Sequence, residues 1–146
     1  MEQTLILVKP DGVGRHRIGA VLDRLERAGL RLLGLKMLRL SKSQAEDFYK
    51  EHHGKPFYPP LIQFMTSAPI VASVWEAPKA ISQARSLMGT TDSLKADAGT
   101  LRRDYGTNNR YNLVHGSDSA PSAQREIGFF FKPEEMYSYG DNDWQN

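Results

Sequence analysis

A short apolar run near the start of the chain constrains the fold more than any other feature. Residues Thr4–Val8 are all apolar or β-branched, without the alternation of a strand that has one wet face. Such a run predicts a strand buried on both faces, which needs other strands beside it. The run ends at Lys9-Pro10-Asp11-Gly12, where proline removes a ladder donor and glycine favours a turn. Lys9 is therefore predicted at the carboxyl end of a central strand, where ligands often bind.

The rest of the chain alternates helical and strand patterns. Apolar residues at helical spacing predict helices over residues 18–28, 43–51, 61–65, 78–88 and 122–131. Ser43 and Glu46 fit a capping box at the start of the second helix. Further strands are predicted over residues 31–40, 70–75 and 113–114. Residues 89–111 are predicted to form a long irregular loop, which in a compact domain is usually functional or disordered.

The order of these elements is β-α-β-α-α-β-α-loop-β-α, which matches the ferredoxin-like split βαβ plan with added helices. The fold class expected is α+β, with a four-stranded antiparallel sheet, surrounding helices packed on one face and a long loop before the last strand. The length of 146 residues predicts a single domain over residues 1–146, with a polar C-terminal tail over residues 132–146.

Composition limits the classes of function. Hydrophobic residues make up 40% and charged residues 25%, as in soluble globular proteins. A formal net charge of +2 does not suggest nucleic-acid binding, and the lack of cysteine excludes disulfides and thiolate metal sites. No apolar run approaches the ~20 residues of a membrane helix, and the N-terminus lacks the basic region of a secretory signal. We therefore expect a cytoplasmic protein.

One histidine stands in a setting suited to covalent chemistry. His115 follows the apolar pair Leu113–Val114 and precedes Gly116-Ser117-Asp118. Imidazole is a good nucleophile at neutral pH, and Gly116 is expected to leave room for a group the size of a phosphate. Histidines in such settings are also common as satisfied core residues, so the function depends on the other residues near it.

Phosphate binding is predicted to use side chains in this chain. The sequence has neither the glycine-rich loops of nucleotide-binding folds nor the protein-kinase motifs. Lys9, Arg85, Thr91 and Arg102 have the ammonium, guanidinium and hydroxyl groups that bind phosphate oxygens. Glu126, on the helix after His115, is a candidate to hold the second ring nitrogen of the histidine.

Several motifs resemble those of one enzyme family in the same order. Asn112-x-x-His115-Gly-Ser117-Asp118 resembles the active-site motif of the nucleoside diphosphate kinases. Other segments that resemble motifs of that family are Val8–Gly12, Lys55-Pro-Phe57-Tyr-Pro, Met88-Gly-Thr-Thr91, Gly99-Thr-Leu-Arg102 and Lys132-Pro-Glu-Glu. The resemblance covers nearly the whole chain.

The resemblance implies an enzyme that moves the γ-phosphoryl group of a nucleoside triphosphate to a nucleoside diphosphate. It implies a ping-pong mechanism through a phosphohistidine on His115, with broad base tolerance. The catalytic group implied around His115 is Glu126, Ser117, Tyr49 and Lys9. For substrate binding, it implies that Lys9 and Asn112 bind the sugar and that Lys9 also reaches phosphate. It implies that the phosphates are bound by Arg85, Thr91 and Arg102. The base is implied to pack on Phe57 and Leu61.

The resemblance also implies a cofactor and an assembly. The cofactor is Mg²⁺, held mainly by the nucleotide phosphates, so no metal ligands are assigned to the protein. The assembly is a homo-hexamer, or alternatively a homo-tetramer. The aromatic residues of the polar tail, Tyr137, Tyr139 and Trp144, favour a tail packed on a neighbouring subunit. Asn109 and Tyr111 depart from the common pattern and leave base preference open. A catalytically silent binding or scaffold protein is the alternative function, which an intact site would argue against.

Overall fold

The computed structural model describes residues 1–145, and its centre is a four-stranded antiparallel sheet with strand order β2-β3-β1-β4. The strands are β1 (Glu2–Val8), β2 (Arg31–Leu38), β3 (Ile70–Ala77) and β4 (Val114–Gly116). The first strand is interior, since it pairs with β3 along its whole length and with β4 over its last three residues. The predicted α+β fold with a ferredoxin-like sheet is confirmed.

Seven α-helices of residues 1–145 connect and cover the strands. They are α1 (Pro10–Gly14), α2 (Ile18–Arg27), α3 (Lys42–Phe48), α4 (Tyr58–Met65), α5 (Ala80–Met88), α6 (Leu101–Tyr105) and α7 (Ala120–Phe130). None of the helices in this described part is long and apolar enough to cross a membrane.

The start of α3 differs from the prediction by one serine. The Ser41 hydroxyl accepts a hydrogen bond from the Gln44 amide, and the Gln44 side chain accepts one from the Ser41 amide. The predicted box of Ser43 and Glu46 is therefore wrong. Ser41 is the residue with extended backbone before the first helical residue, which is the conformation that a capping side chain requires.

Helices cover both faces of the sheet. Leu5 and Leu7 of β1 join a core with side chains of α3, α4 and α7, whereas Ile6 and Val8 join a second core with side chains of α2 and α5. The expectation of helices on one face is therefore wrong. The unbroken apolar run of β1 explains the difference, because alternate side chains of a strand point to opposite faces and both sets need cover.

The segment before β4 is more ordered than the predicted irregular loop. It contains a 3₁₀ turn at Ser93–Lys95 and the helix α6. The Thr100 hydroxyl accepts from the Arg103 amide and caps α6, and Leu101 is fully buried in the second core. A helix of five residues is too short for hydrophobic periodicity to reveal it, so the sequence pattern missed α6.

The C-terminal segment lies along the outer strand β2 of the same chain. The Tyr137 amide donates to the Leu33 carbonyl at 2.9 Å, and the Tyr139 hydroxyl donates to the Leu32 carbonyl. Arg31 binds both the Tyr139 carbonyl and the Asp141 carboxylate. Further along, Trp144 is 79% exposed. Residue 146 of the predicted tail lies outside the described residues, and the single-domain assignment stays a prediction.

Candidate active site

His115 lies inside β4, opposite Leu7 of the central strand, and not just after the strand as the sequence suggested. Its Nε2 is 2.8 Å from Oε1 of Glu126. An ionised carboxylate only accepts hydrogen bonds, so this contact places the proton on Nε2. Nδ1 makes no hydrogen bond to any residue of 1–145, and in the neutral ring with its proton on Nε2 it is the nitrogen that carries the lone pair. The side chain is 22% exposed, which leaves the imidazole accessible.

Glu126 is held in place by its own helix and by a serine. Ser119 caps α7 by accepting from the Ser122 amide, and this helix buries the Glu126 side chain. The Ser117 hydroxyl donates to the same Oε1 at 2.9 Å and in turn accepts from the Leu5 amide of β1. The predicted trio of His115, Glu126 and Ser117 is therefore brought together. Its carboxylate has little freedom to turn.

One aromatic residue at the end of α3 borders the histidine, and a second lies behind it. The ring of Phe48 meets the imidazole edge-on, with centroids 5.5 Å apart. Tyr49 lies beside Phe48, and its buried hydroxyl has no hydrogen-bond partner within residues 1–145. Burial, helped by the charge of Glu126, raises the pKa of Tyr49, so the phenol stays protonated. Sequence reasoning named Tyr49 and missed Phe48, which is the ring in contact with His115.

Lys9 and Asn112, both predicted sugar ligands, form a buried pair. Nζ of Lys9 donates to Oδ1 of Asn112 at 2.8 Å, and Nδ2 of Asn112 donates to the Thr91 carbonyl at 2.9 Å. Burial and the nearby charge of Arg102 lower the pKa of Lys9 to about 8, whereas the charge of Asp11 acts in the opposite direction. The lysine therefore changes its charge within a pH range that can be tested.

The two arginines predicted to bind phosphate are tied to backbone carbonyls around His115. Arg102 donates to the carbonyls of Val114 at 2.8 Å and Gly89 at 2.9 Å, and Arg85 contacts the Gly116 carbonyl at 3.4 Å. Burial, followed by the charge of Arg85, lowers the pKa of Arg102 to about 10, so its guanidinium stays charged at neutral pH. The carbonyls of the two residues that flank His115, Val114 and Gly116, thus each bind an arginine side chain.

The predicted base-binding residues lie at the start of α4. Phe57 precedes the helix and is 45% exposed, with the His52 ring 5.3 Å away, and Leu61 is partly buried against the first core. Tyr111 packs edge-on against Phe64 of α4, with centroids 5.0 Å apart. Asn109 contributes its carbonyl to Asn112. The Phe57 ring is exposed, with Nζ of Lys55 over it at 5.7 Å from the centroid, and Thr91 is also exposed.

Gly116 has a different role from the one predicted. A Cβ atom at this residue would lie 2.6 Å from Sδ of Met88 and 3.2 Å from Cδ1 of Ile6. The glycine is therefore required by packing in the second core. The expectation that it makes room for a phosphate is wrong, because the missing side chain would point into the protein.

Leu113 has an unusual backbone that sequence reasoning did not anticipate. It is fully buried with φ of 77°, and the Val114 amide donates to the Asn112 carbonyl at 2.9 Å. This is a γ-turn of the rare strained kind. The Leu113 amide donates to Oδ2 of Asp11 at 3.0 Å. The sequence assigned Asp11 only to a turn, and no spacing signal linked it to the histidine segment.

The charges of the site suit phosphate better than a protein-held metal. Lys9, Arg85 and Arg102 supply three cationic side chains near His115. Within residues 1–145 no group of three or more histidine, cysteine or acidic side chains is arranged to hold a metal ion.

Comparisons with known proteins identify close relatives. The sequence model of the family described as nucleoside diphosphate kinase matches residues 2–136. The nucleoside diphosphate kinase of Carboxydothermus hydrogenoformans is 51% identical over 139 residues, which cover 95% of this chain and 93% of the relative. That of Psychromonas ingrahamii is 52% identical over 136 residues, which cover 93% of this chain and 94% of the relative.

Solved structures give the same result. A halophilic nucleoside diphosphate kinase from Halobacterium salinarum, in complex with CDP, aligns with a TM-score of 0.94 and 43% identity. The alignment covers 99% of this chain and 97% of that one. The nucleoside diphosphate kinase of Aquifex aeolicus aligns with a TM-score of 0.91 and 40% identity, over 93% of this chain and 99% of that one.

Proposed function

The chain belongs to the nucleoside diphosphate kinase family, and we propose that it transfers the γ-phosphoryl group between nucleotides through a phosphohistidine on His115. As a family member it is an enzyme that moves a phosphoryl group from a nucleoside triphosphate to a nucleoside diphosphate. The observation that best supports the route is the imidazole itself. Its Nε2 donates to Glu126 at 2.8 Å, which leaves Nδ1 with the lone pair that a nucleophile needs.

The first half of the reaction loads the histidine. The Nδ1 lone pair attacks the γ-phosphorus, the bond to the bridging oxygen breaks, and the nucleoside diphosphate leaves with that electron pair. The ring becomes positively charged while keeping its proton on Nε2, and the Glu126 carboxylate stabilises that charge. Ser117 keeps the carboxylate oriented throughout, since it donates to the same oxygen.

The second half reverses the first. A terminal phosphate oxygen of a second nucleoside diphosphate attacks the phosphorus, the P–Nδ1 bond breaks, and the imidazole returns to its neutral state. The same groups serve both halves because donor and acceptor differ only in one phosphoryl group. Catalysis of this kind is mostly positioning and charge stabilisation, which fits a site of fixed cations. The complex of the Halobacterium relative with CDP supports a nucleoside diphosphate as one substrate.

The substrate contacts follow from the side chains around His115. Lys9 and Asn112 bind the sugar hydroxyls, and Lys9 also reaches phosphate. Arg85, Thr91 and Arg102 bind the phosphates. The base stacks on Phe57 beside Leu61, and stacking alone does not distinguish bases, because each has a π-face. Tyr49 keeps its phenolic proton and belongs to the catalytic group through its place beside Phe48 and near the charge of Glu126.

Mg²⁺ fits this site as a partner of the nucleotide. Mg²⁺ prefers phosphate oxygens and water, and it is commonly bound through substrate phosphates in kinase sites. When bound to the nucleotide, Mg²⁺ would neutralise part of the negative charge of the phosphates. Arg85, Arg102 and Lys9 hold and orient the phosphate oxygens that the ion leaves free.

We also propose an assembly and a location. The protein forms a homo-hexamer, with a tetramer as the alternative, in which the end of the tail contacts a neighbouring subunit. The exposed Trp144 supports this, since an aromatic side chain buries ~150–250 Å² when it packs. The substrates are nucleotides of the cell interior, which supports a cytoplasmic location.

Labelling tests the phosphohistidine directly. Mixing the chain with ATP labelled at the γ-phosphate should leave an acid-labile, base-stable label on the protein, and added GDP should remove it. His115→Ala should lose both the label and the turnover while keeping its circular dichroism spectrum. Ordinary transfer from ATP to GDP by that variant would contradict the proposal. A silent scaffold protein would take up no label at all.

A further inference from the structure

The strained turn before His115 is clamped by residues that follow the central strand. The Lys9 amide donates to the Leu113 carbonyl at 2.8 Å, and Oδ2 of Asp11 accepts from the Leu113 amide at 3.0 Å. Both the amide and the carbonyl of Leu113 are thus hydrogen-bonded to the segment that follows β1. Gly12 of the same segment lies so close that a Cβ there would be 3.3 Å from the Leu113 carbonyl oxygen.

The clamp opposes a real conformational cost. A non-glycine residue with φ near +77° lies in a sparsely populated region, which costs of order 1–3 kcal/mol and persists only when the surroundings impose it. Without the Asp11 acceptor, the buried Leu113 amide would lose its partner, and the backbone would gain by rotating toward negative φ. The residues that move are those before Leu113, because β4 after it is fixed by pairing with β1.

Asn112 is the residue that such a rotation displaces. Its side chain accepts from Lys9 at 2.8 Å, and its carbonyl accepts from the Val114 amide and from Nε of Arg102. The turn therefore sets where the Lys9–Asn112 pair lies relative to His115, which sits in β4. Asp11 reaches that pair only through Leu113 and through its charge near Lys9.

We propose that Asp11 is a positioning residue for phosphoryl transfer, which holds the Leu113 γ-turn and so keeps the Lys9–Asn112 pair in register with His115. The proposal rests on the sugar-binding role given above to Lys9 and Asn112. Asp11 does not need to touch the nucleotide, since one of its carboxylate oxygens is occupied by Leu113. The other, Oδ1, is buried and has no partner within residues 1–145.

Burial of this carboxylate favours a function over a surface role. Burial raises the pKa of Asp11, and the Leu113 amide and Lys9 lower it in opposition. A carboxylate whose only role was to interact with the dipole of the short helix α1 could do so from the surface. It would then not lose the hydration that burial removes. The groups that act on the Asp11 carboxylate are the Leu113 amide, Lys9 and the backbone amides of Gly12 and of Asp11 itself. Those that act on Lys9 are Arg102 and Asp11.

Three variants of the full chain test the proposal. Asp11→Ala removes the acceptor, Asp11→Asn keeps one acceptor oxygen of similar shape, and Asp23→Asn is a matched control on the surface of α2. The measurement is kcat/KM for a nucleoside diphosphate with and without its 3′-hydroxyl. Asp11→Ala should lower kcat/KM for the ordinary nucleotide ~10- to 100-fold, as when the orienting partner of a ligand is lost. It should change the 3′-deoxy nucleotide little.

The expected pattern includes two further readouts. Asp11→Asn should keep most of the discrimination, and Asp23→Asn should keep all of it. In an Asn112→Ala background, Asp11→Ala should cause little further loss, because two residues that act through one contact are not additive. A double variant whose losses simply multiply would overturn the proposal, and so would full 3′-hydroxyl discrimination in Asp11→Ala.

The outcomes separate this inference from the proposed function. An unmodified chain that reacts equally with ordinary and 3′-deoxy nucleotides would contradict the sugar-binding role of Lys9 and Asn112. An unmodified chain that discriminates, and still discriminates after Asp11→Ala, would contradict the role of Asp11 alone. If Asp11→Ala does not fold, Asp11→Asn decides. Because its side-chain oxygen can still accept from the Leu113 amide, complete loss of discrimination in that variant would overturn the proposal.

Discussion

At His115, hydrogen bonding decides which ring nitrogen can react. Glu126 holds Nε2 at 2.8 Å, and Ser117 holds the carboxylate. Removing the carboxylate should leave the imidazole free to turn and to change tautomer. We expect Glu126→Ala to slow phosphoryl transfer ~10- to 100-fold, as when the orienting partner of a ligand is lost. Glu126→Gln should lose less, because its amide oxygen still accepts from Nε2.

Single-turnover labelling from γ-labelled ATP measures this effect apart from product release. Glu134→Gln is the matched control, since Glu134 is an exposed carboxylate of the C-terminal segment. An unchanged labelling rate in Glu126→Ala would mean that this carboxylate contributes only to the packing of α7.

Lys9 gives the site a pH dependence. Its pKa is lowered to about 8, mainly by burial, so the ammonium is present below pH 8 and is lost above it. Because the charged form binds phosphate, kcat/KM should be level on the acid side of 8 and fall as the pH rises through that value. A lysine with an ordinary pKa near ~10.4 would keep its charge throughout this range.

The measurement is kcat/KM for a nucleoside diphosphate between pH 6.5 and 10, since this parameter reports the free enzyme. Asp11→Asn removes a negative charge that raises the pKa of Lys9, so the fall should begin at lower pH in that variant. A plateau that extends unbroken to pH 10 in the unmodified chain would contradict the role given to the Lys9 ammonium.

Residue types could be predicted from the sequence where chemistry restricts the choice. A nucleophilic imidazole, a carboxylate one helix later and cations for phosphate all follow from side-chain chemistry, and the hydrogen bonds of His115 match that expectation. Phe48, Asp11 and the positive φ of Leu113 could not be predicted. These features depend on which segments lie next to each other in the folded structure. No local pattern in the sequence indicates which distant segments will be neighbours.

At the scale of elements, the end of α5 connects the residues proposed to bind phosphate. Gly89 follows the helix with φ of 85°, and its carbonyl accepts from Arg102. A Cβ there would lie 2.6 Å from Oγ1 of Thr100, the residue that caps α6. Gly89→Ala should therefore destabilise the fold by about 1–3 kcal/mol through backbone strain, and more through the clash.

Gly19→Ala is the matched control for that change. Gly19 lies in α2 with no atom within 4 Å of its ideal Cβ, so alanine should stabilise the helix by ~0.5–1 kcal/mol. Urea unfolding of both variants gives the comparison. Equal stabilities of Gly89→Ala and the unmodified chain would show that the turn after α5 adapts to a side chain.

The elements that could be predicted are those with a long, regular pattern. The strands β1, β2 and β3 and the helices α2 and α5 follow from runs and stripes that the sequence displays. The short helix α6 and the exact start of α3 could not be predicted. Five residues make little more than one helical turn, too few for an apolar stripe to repeat, and neighbouring serines are equally good caps. Helices on both faces were implied by the unbroken run of β1, yet the connection order alone suggested one face.

At the scale of the whole molecule, the C-terminal segment bears on the assembly. Tyr139 and Asp141 tie it to Leu32 and Arg31 of its own β2, and Trp144 beyond them is exposed. If Trp144 packs on a neighbouring subunit, a chain stopped after Tyr137 should lose that contact. It should also lose the bonds of Tyr139 and Asp141 to its own β2. We expect the truncated chain to show a lower melting temperature and a smaller or mixed assembly.

Light scattering of the two chains at equal concentration measures the assembly, and calorimetry measures the melting temperature. A full-length monomer would refute the assembly proposal. An unchanged mass together with an unchanged melting temperature after truncation would show that the tail has no part in it. Trp144→Ala is the finer variant. It removes the bond from the indole to the Asp141 carbonyl but leaves the bonds of Tyr139 and Asp141 to β2 in place.

The interior position of β1 has a consequence for synthesis on the ribosome. Its apolar run emerges before either of its partner strands, which end only at Ala77 and Gly116. Until then the nascent chain exposes a short uncharged segment of high β-propensity, of the kind that pairs with other chains. Fragments that end before β4 should therefore aggregate and bind no nucleotide. Lys9 likewise lacks its partner Asn112 until the segment before β4 is made. The last strand completes the sheet, and α7, which carries Glu126, then completes the site.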